Sequence, residues 1–356
     1  MKSFNIGDLT IPVPIVQGGM GIGISLSGLA SAVASEGGIG TIASVGLGLI
    51  HENPGKSYRQ SNIDGLIKEI HNARQLTKGV LGVNIMSVLT NFSELAQAAI
   101  KEKIDIIFSG AGLPLNLPQF KPKESNTKLI PIVSSGRAAR IISQKWWQNY
   151  NYLPDAFVVE GPEAGGHLGF NHNILVKDTP KLQSLVKEVL QVSDEINKEH
   201  DKRVPIIAAG GIMEGTQMHE LISNGASAVQ LGTSFIPTNE CDASMNFKNA
   251  FIKAIEDDIR LIQSPVGLPG RAISNEFLLA AERGEKRPQS CKYHCIKSCN
   301  PKTTTYCIAK ALLSAYYGKL DSGFAFSGAY GYQIKTITSV KEVFNRFIHE
   351  YNTMSQ

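Results

Sequence analysis

The chain has 356 residues, 42% of them hydrophobic and 19% charged, and its net charge of +4 is spread along the sequence. That length suits two domains or one large α/β barrel with an insertion, and the even charge excludes a basic tract built for nucleic acid or an anionic membrane. Glycine is the outlier, with 34 residues gathered into short motifs, as happens in phosphate loops and tight strand-to-helix turns.

The N-terminal stretch MKSFNIGDLTIPVP has one lysine and no apolar core of a signal peptide. No window approaches ~18 continuous apolar residues, the length of a membrane span. A cytoplasmic protein is expected, with its five cysteines kept reduced.

Eight short apolar runs then follow in order: VPIVQGG (13–19), GIGTIAS (38–44), GVNIMS (82–87), DIIFSGAG (105–112), LIPIVSS (129–135), AFVVEG (156–161), VPIIAAGG (204–211) and AVQLGT (228–233). Each is too short for a globular helix and lacks period-2 alternation, as strands buried on both faces do. Helical patterns lie between them. KLQSLVKEVLQVSDEI places Leu182, Leu185, Val186, Val189, Leu190 and Ile196 on one side after an Asp178-Thr179-Pro180 start, and TQMHELISNG stops at Asn224-Gly225. Eight strand–helix units predict a parallel sheet closed into a (β/α)8 TIM barrel over residues 1–235. An open doubly wound sheet is the alternative.

The alternation ends near Phe235. Residues 236–322, with NFKNAFIKAIEDDIRLI and a cysteine-rich stretch, predict a smaller, mostly helical insertion domain over the barrel's active face. Residues 323–356 carry a glycine-aromatic loop, GFAFSGAYGY, and a last amphipathic helix that returns to the barrel.

Functional groups of such a barrel sit at the C-terminal strand ends. QGGMGIG (17–23), EGPEAGGH (160–167), AAGGI (208–212) and QLGT (230–233) are the glycine-rich ends, and the last two are neighbours. Gly210 and Gly211 let backbone approach a ligand, while Gly232 and Thr233 supply N–H and hydroxyl donors, which together suit a phosphate-bearing cofactor. Asn84 ends the third run, and its buried amide needs a partner: a flavin edge, a pyrophosphate or neighbouring backbone.

IVQGGMG (15–21), GVN (82–84), EGPEAGGHLG (160–169), PIIAAGGI (205–212) and AVQLGTSF (228–235), in that order, resemble the nitronate monooxygenase family, formerly 2-nitropropane dioxygenase. The family also includes FMN-dependent enoyl-acyl-carrier-protein reductases. The resemblance runs through nearly the whole chain. It implies a TIM barrel with FMN at the strand ends and its phosphate against the seventh and eighth loops. By position, Gly18, Gly19 and Met20 would flank the flavin ring and Asn84 would bond it. Glu160, Gly165 and Gly166 would approach the cofactor. Gly210 and Gly211 would face the phosphate, with Gln230, Leu231, Gly232 and Thr233 cradling it. His167 would be the catalytic histidine. Where this chain has Glu160, nitronate-oxidising members often carry Gln.

The activity so implied is oxidation of alkyl nitronates with O2, with NAD(P)H-dependent reduction of an enoyl thioester as the alternative. A non-catalytic, flavin-binding assembly subunit is the reading from another class. Partners expected are a small-molecule substrate (a nitronate or an enoyl thioester), NAD(P)H as reductant in the second case, and a second copy in a homodimer. His167 titrates near neutral pH and suits a base or a hydrogen-bond donor to an oxyanion; as the alternative it caps a turn. His172 reads as a surface residue. Ser109 and Ser135, at strand ends, line the substrate site or cap the next helix.

CKYHCIKSCNPKTTTYC spaces Cys291, Cys295 and Cys299 four apart with Cys307 eight beyond. On a helix the first three share a face. Four such thiols offer a zinc or iron–sulfur site, buried reduced cysteine or redox-active thiols. Cys241 stands apart as a filler.

Overall fold

A computed structural model describes residues 1–51 and 55–354. The eight apolar runs all form strands: Ile15–Gln17, Ile39–Ala43, Val80–Met86, Ile106–Gly110, Lys128–Val133, Phe157–Glu160, Ile206–Ala209 and Ala228–Leu231. Each pairs in parallel with the next, and the eighth pairs with the first (Val229 beside Ile15), so the sheet closes. This is the (β/α)8 TIM barrel. Strands buried on both faces read as unbroken apolar runs, which is why the sequence revealed them.

A short antiparallel hairpin, Phe4–Ile6 with Leu9–Ile11, precedes the barrel. Its Phe4, Ile6 and Ile11 pack in one buried cluster with Val16, Ile39, Ile106, Phe108, Ile130 and Val158. The hairpin thereby stoppers the N-terminal end of the barrel and leaves the other end for chemistry. A second, larger cluster fills the layer between strands and helices.

Helix Leu182–His200 buries Leu182, Leu185, Val186, Val189 and Ile196, with Leu190 half-buried. Helix Gly215–Ser223 ends at Asn224, and Gly225 follows at φ +104°. The last helix, Val340–Thr353, starts with a capping box of Ser339 and Glu342. It lies across helix Gly215–Ser223, where Glu350 accepts the Gly215 N–H at 2.6 Å.

Residues 236–322 supply helices Met245–Lys253, Glu276–Glu282 and Ile308–Tyr316, and also an antiparallel hairpin, Ile259–Gln263 with Pro269–Ile273. The helix expected through IEDDIRLI therefore stops at Lys253. Beyond Glu256–Asp258 the chain is extended, because Ile259 and Leu261 pair with Ile273 and Arg271. The same hairpin recruits Gly166–His167 as its third strand, with Gly270 opposite His167. A stretch whose glycines predict a loop is thus partly sheet. Asp242 ties this segment to the first barrel helix, Ser27–Ser35, which lacks its own capping side chain. Its carboxylate accepts the N–H groups of Leu26, Gly28 and Leu29 at 2.8–3.1 Å.

The cysteine stretch is not a helix. Residues 291–300 are turns and bends, with His294 at φ +44°, held to the third-strand loop by Thr90 N–H donating to Cys295 O and by a bridge from Leu89 to Ile296.

Candidate active site

The C-terminal strand ends open on one large cleft, walled on its far side by residues 245–330. Gly18, Gly19, Met20, Asn84, Glu160, Gly165, Gly166, His167, Gly210, Gly211, Gln230, Leu231, Gly232 and Thr233 all line it. Eight strand ends converge there, so residues as far apart in sequence as Gly18 and Tyr330 share one cavity. Ser109 and Ser135 do not. The Ser109 hydroxyl donates to Ile85 O inside the sheet, and Ser135 caps helix Gly136–Tyr150 by accepting Ala138 N–H. His172 is exposed at the start of a short helix outside the cleft.

At the seventh and eighth strand ends the backbone N–H groups of Gly211, Ile212, Gly232 and Thr233 donate to no protein acceptor among the described residues. Buried N–H groups are nearly always paired, so such a row facing a cleft is a place for acceptor oxygens. Gly211, at φ +77°, takes a conformation that disfavours side chains, and a Cβ there would lie 2.3 Å from Glu163 Oε2. At Gly232 a Cβ would meet only Met20 Sδ, at 3.6 Å, so the space in front of it is open. The amides of Asn84 and Gln230 likewise have no side-chain partner among the described residues.

No lysine or arginine lines the cleft among the described residues. Its charge is set by Glu160, Glu163 and His167. The Glu160 carboxyl makes no ion pair or hydrogen bond among the described residues, and burial pushes it up to about 8, so it is largely protonated at neutral pH. Burial also pushes the His167 imidazole down to about 4, leaving it neutral. The ring is fixed by Ser264 Oγ, 2.7 Å from Nε2, and by the edge of Phe326 at 5.0 Å between centroids.

Several site residues carried no sequence signal. Arg271 donates through Nη1 to Pro162 O and Ala164 O, at 2.6 and 2.7 Å, and so clamps the turn before His167. The Tyr330 hydroxyl donates to Glu163 Oε1 at 2.6 Å, which raises the phenol to about 12. Tyr330 lies in the glycine-aromatic loop, which nothing in the sequence marked for a place at the cleft. Arg271 and Ser264 lie in RAIS and QSPVG, where nothing marks them.

Among the described residues no group of three or more His, Cys, Asp or Glu side chains is arranged to hold a metal. The expected zinc or iron–sulfur site at Cys291, Cys295, Cys299 and Cys307 is thus not seen among the described residues. Cys295 and Cys307 pack against an apolar cluster with Ile22 and Leu312, while Cys291 accepts His294 N–H at 3.3 Å. Cys295 lines the cleft as a thiol, since burial raises it to about 12. Cys241 is buried, with its Sγ 3.4 Å from Ile24 O.

Fold and cleft define a (β/α)8-barrel enzyme with its working face at the C-terminal strand ends. The nitronate monooxygenase family model matches residues 2–104 and 90–350. A "probable nitronate monooxygenase" of Staphylococcus saprophyticus is 27% identical over 307 residues, 76% of this chain and 78% of that protein. One from Staphylococcus aureus is 28% identical over 305 residues, with the same coverage. FabK from Thermotoga maritima superposes with a TM-score of 0.74 at 28% identity, over 97% of this chain and 94% of that one. Nitroalkane oxidase from Streptomyces ansochromogenes shares the fold, with a TM-score of 0.74 at 21% identity and 97% coverage of both chains. The chain belongs to the nitronate monooxygenase family. That makes it an FMN-dependent oxidoreductase acting on a small molecule. No described helix is long and apolar enough to cross a membrane.

Proposed function

We propose that this oxidoreductase grips the FMN phosphate on the N–H groups of Gly211, Ile212, Gly232 and Thr233, and oxidises alkyl nitronates beside His167. The observation that carries the reading is that row of unpaired N–H groups in the same cleft as a neutral imidazole. With no lysine or arginine lining the cleft among the described residues, a phosphate there relies on aligned backbone dipoles. Gly210 and Gly211 supply the close backbone approach. Gly18, Gly19, Met20, Asn84, Glu160, Gly165, Gly166, Gln230 and Leu231 flank the ring, where the amides of Asn84 and Gln230 find the partners they lack within the protein. FMN, when bound, supplies reversible two-electron chemistry.

His167 touches the substrate. A neutral imidazole gives up a hydrogen bond at little cost, and an oxyanion in a buried cleft gains more from it than it would in water. The apolar residues of the same cleft, among them Ile22, Ile132, Val266, Ile308, Leu312 and Phe324, hold the alkyl part and keep water out.

That apolar lining also favours a second reading: reduction of an uncharged enoyl thioester by NAD(P)H, with His167 bonding the thioester carbonyl. Anaerobic titration separates the two. Bleaching of the yellow protein by propyl-2-nitronate with no response to NADH or NADPH supports nitronate oxidation, and the reverse supports the reductase. Protein that neither co-purifies with FMN nor takes it up overturns both.

A further inference from the structure

One hairpin holds His167 twice. Its second strand pairs Gly270 with the histidine backbone, and its first strand runs into Ser264, whose Oγ lies 2.7 Å from the ring Nε2. Phe326 sets the ring plane from the side. The remaining question is which partner of the Ser264–His167 bond carries the proton.

The serine answers it by hydrogen-bond accounting. A hydroxyl has one proton to give and two lone pairs to accept with. One lone pair of Ser264 Oγ already receives Val266 N–H, at 3.3 Å. Were Nε2 protonated, Oγ would accept twice and its own O–H would have no acceptor among the described residues, in a side chain that is buried. Leaving a buried donor unmade is costly. If the O–H instead donates to Nε2, the serine and Nε2 are both satisfied, and the one donor left over, Nδ1–H, belongs to a ring that lines the cleft, where a ligand can accept it.

We propose that Ser264 is a positioning residue that locks His167 in the Nδ1–H tautomer, so that the ring nitrogen left to a ligand is a donor and not a base. The inference rests on the reading of His167 as the substrate-touching histidine, and it narrows the chemistry. The only lone pair of the neutral ring is already taken by Ser264, so His167 does not take a proton from a neutral nitroalkane. It serves substrates that arrive with an oxygen acceptor already present, such as a nitronate oxygen or a carbonyl.

Nitrogen-15 NMR of histidine-labelled, FMN-loaded protein reads the tautomer directly, with His167→Ala assigning the signal. The expected spectrum shows Nδ1 protonated and Nε2 bare. Ser264→Ala should lose that preference and lower kcat on the order of tenfold or more, with the flavin spectrum unchanged; Ser264→Thr should restore both. A proton on Nε2 in the native protein, or an unchanged tautomer in Ser264→Ala, overturns the proposal. If His167→Ala turns over like the native enzyme, the catalytic reading of His167 fails, while the tautomer remains readable in the spectrum.

Discussion

The carboxyl of Glu160 gives the sharpest thermodynamic test. It stands at the sixth strand end without a polar partner among the described residues, and burial moves it from an ordinary 4.5 to about 8. A carboxyl with a raised folded value binds its proton more tightly in the native state than in the unfolded chain. Its cost to stability is therefore absent below the unfolded value, grows as pH rises from 4.5 toward 8, and is constant beyond. One pH unit corresponds to about 1.4 kcal/mol, so the cost reaches about 3 kcal/mol at pH 7 and 4–5 kcal/mol above pH 8, as orders of magnitude. Gln at position 160 keeps the shape and removes the titration. Glu160→Gln should then be as stable as the native chain near pH 4.5 and more stable by about 2–4 kcal/mol at pH 8. Urea unfolding of the flavin-free proteins at a series of pH values measures this. Parallel stability curves across that range would show that Glu160 ionises as freely as in the unfolded chain, and the account of its burial would be wrong.

Gly232→Ala should melt within about 0.5 kcal/mol of the native protein, because the new methyl meets only Met20 Sδ at 3.6 Å. It should nonetheless weaken FMN binding at least tenfold, as followed by flavin fluorescence; full affinity would move the phosphate elsewhere. His167→Ala should retain FMN and lose turnover on the order of 100-fold. With His167 held down to about 4, the native rate should show no inflection near pH 6.5 from this ring, and a histidine-like step there that vanishes in His167→Ala would contradict its burial. Asp242→Ala strands the N–H groups of Leu26, Gly28 and Leu29 at the start of the first barrel helix. It should cost on the order of 2–4 kcal/mol by denaturant unfolding, and a loss below 1 kcal/mol would mean that water caps the helix equally well.

The barrel was legible because a strand covered on both faces leaves an unbroken apolar run, and eight such runs leave little choice of architecture. Its strand-end glycines were legible for a related reason, since only short backbone can approach a ligand closely. What escaped was built from distant pairings. Ile259–Gln263 continues a helical pattern with little break, and only its partner strand makes it extended. Gly166–His167 looks like loop until that same hairpin offers an edge. Ser264 and Arg271 matter through contacts with residues about 100 positions away, and no local pattern encodes those. The cysteine spacing suggested a helix face, but Pro288, Pro301 and the left-handed His294 keep the segment in turns.

The stopper formed by Phe4, Ile6 and Ile11 fills the N-terminal end of the barrel, so the described cleft lies at the other end. If two reactants use the same space against one ring, the expectation is that they take turns, the first product departing before the second reactant enters. Such traffic writes parallel lines in double-reciprocal plots.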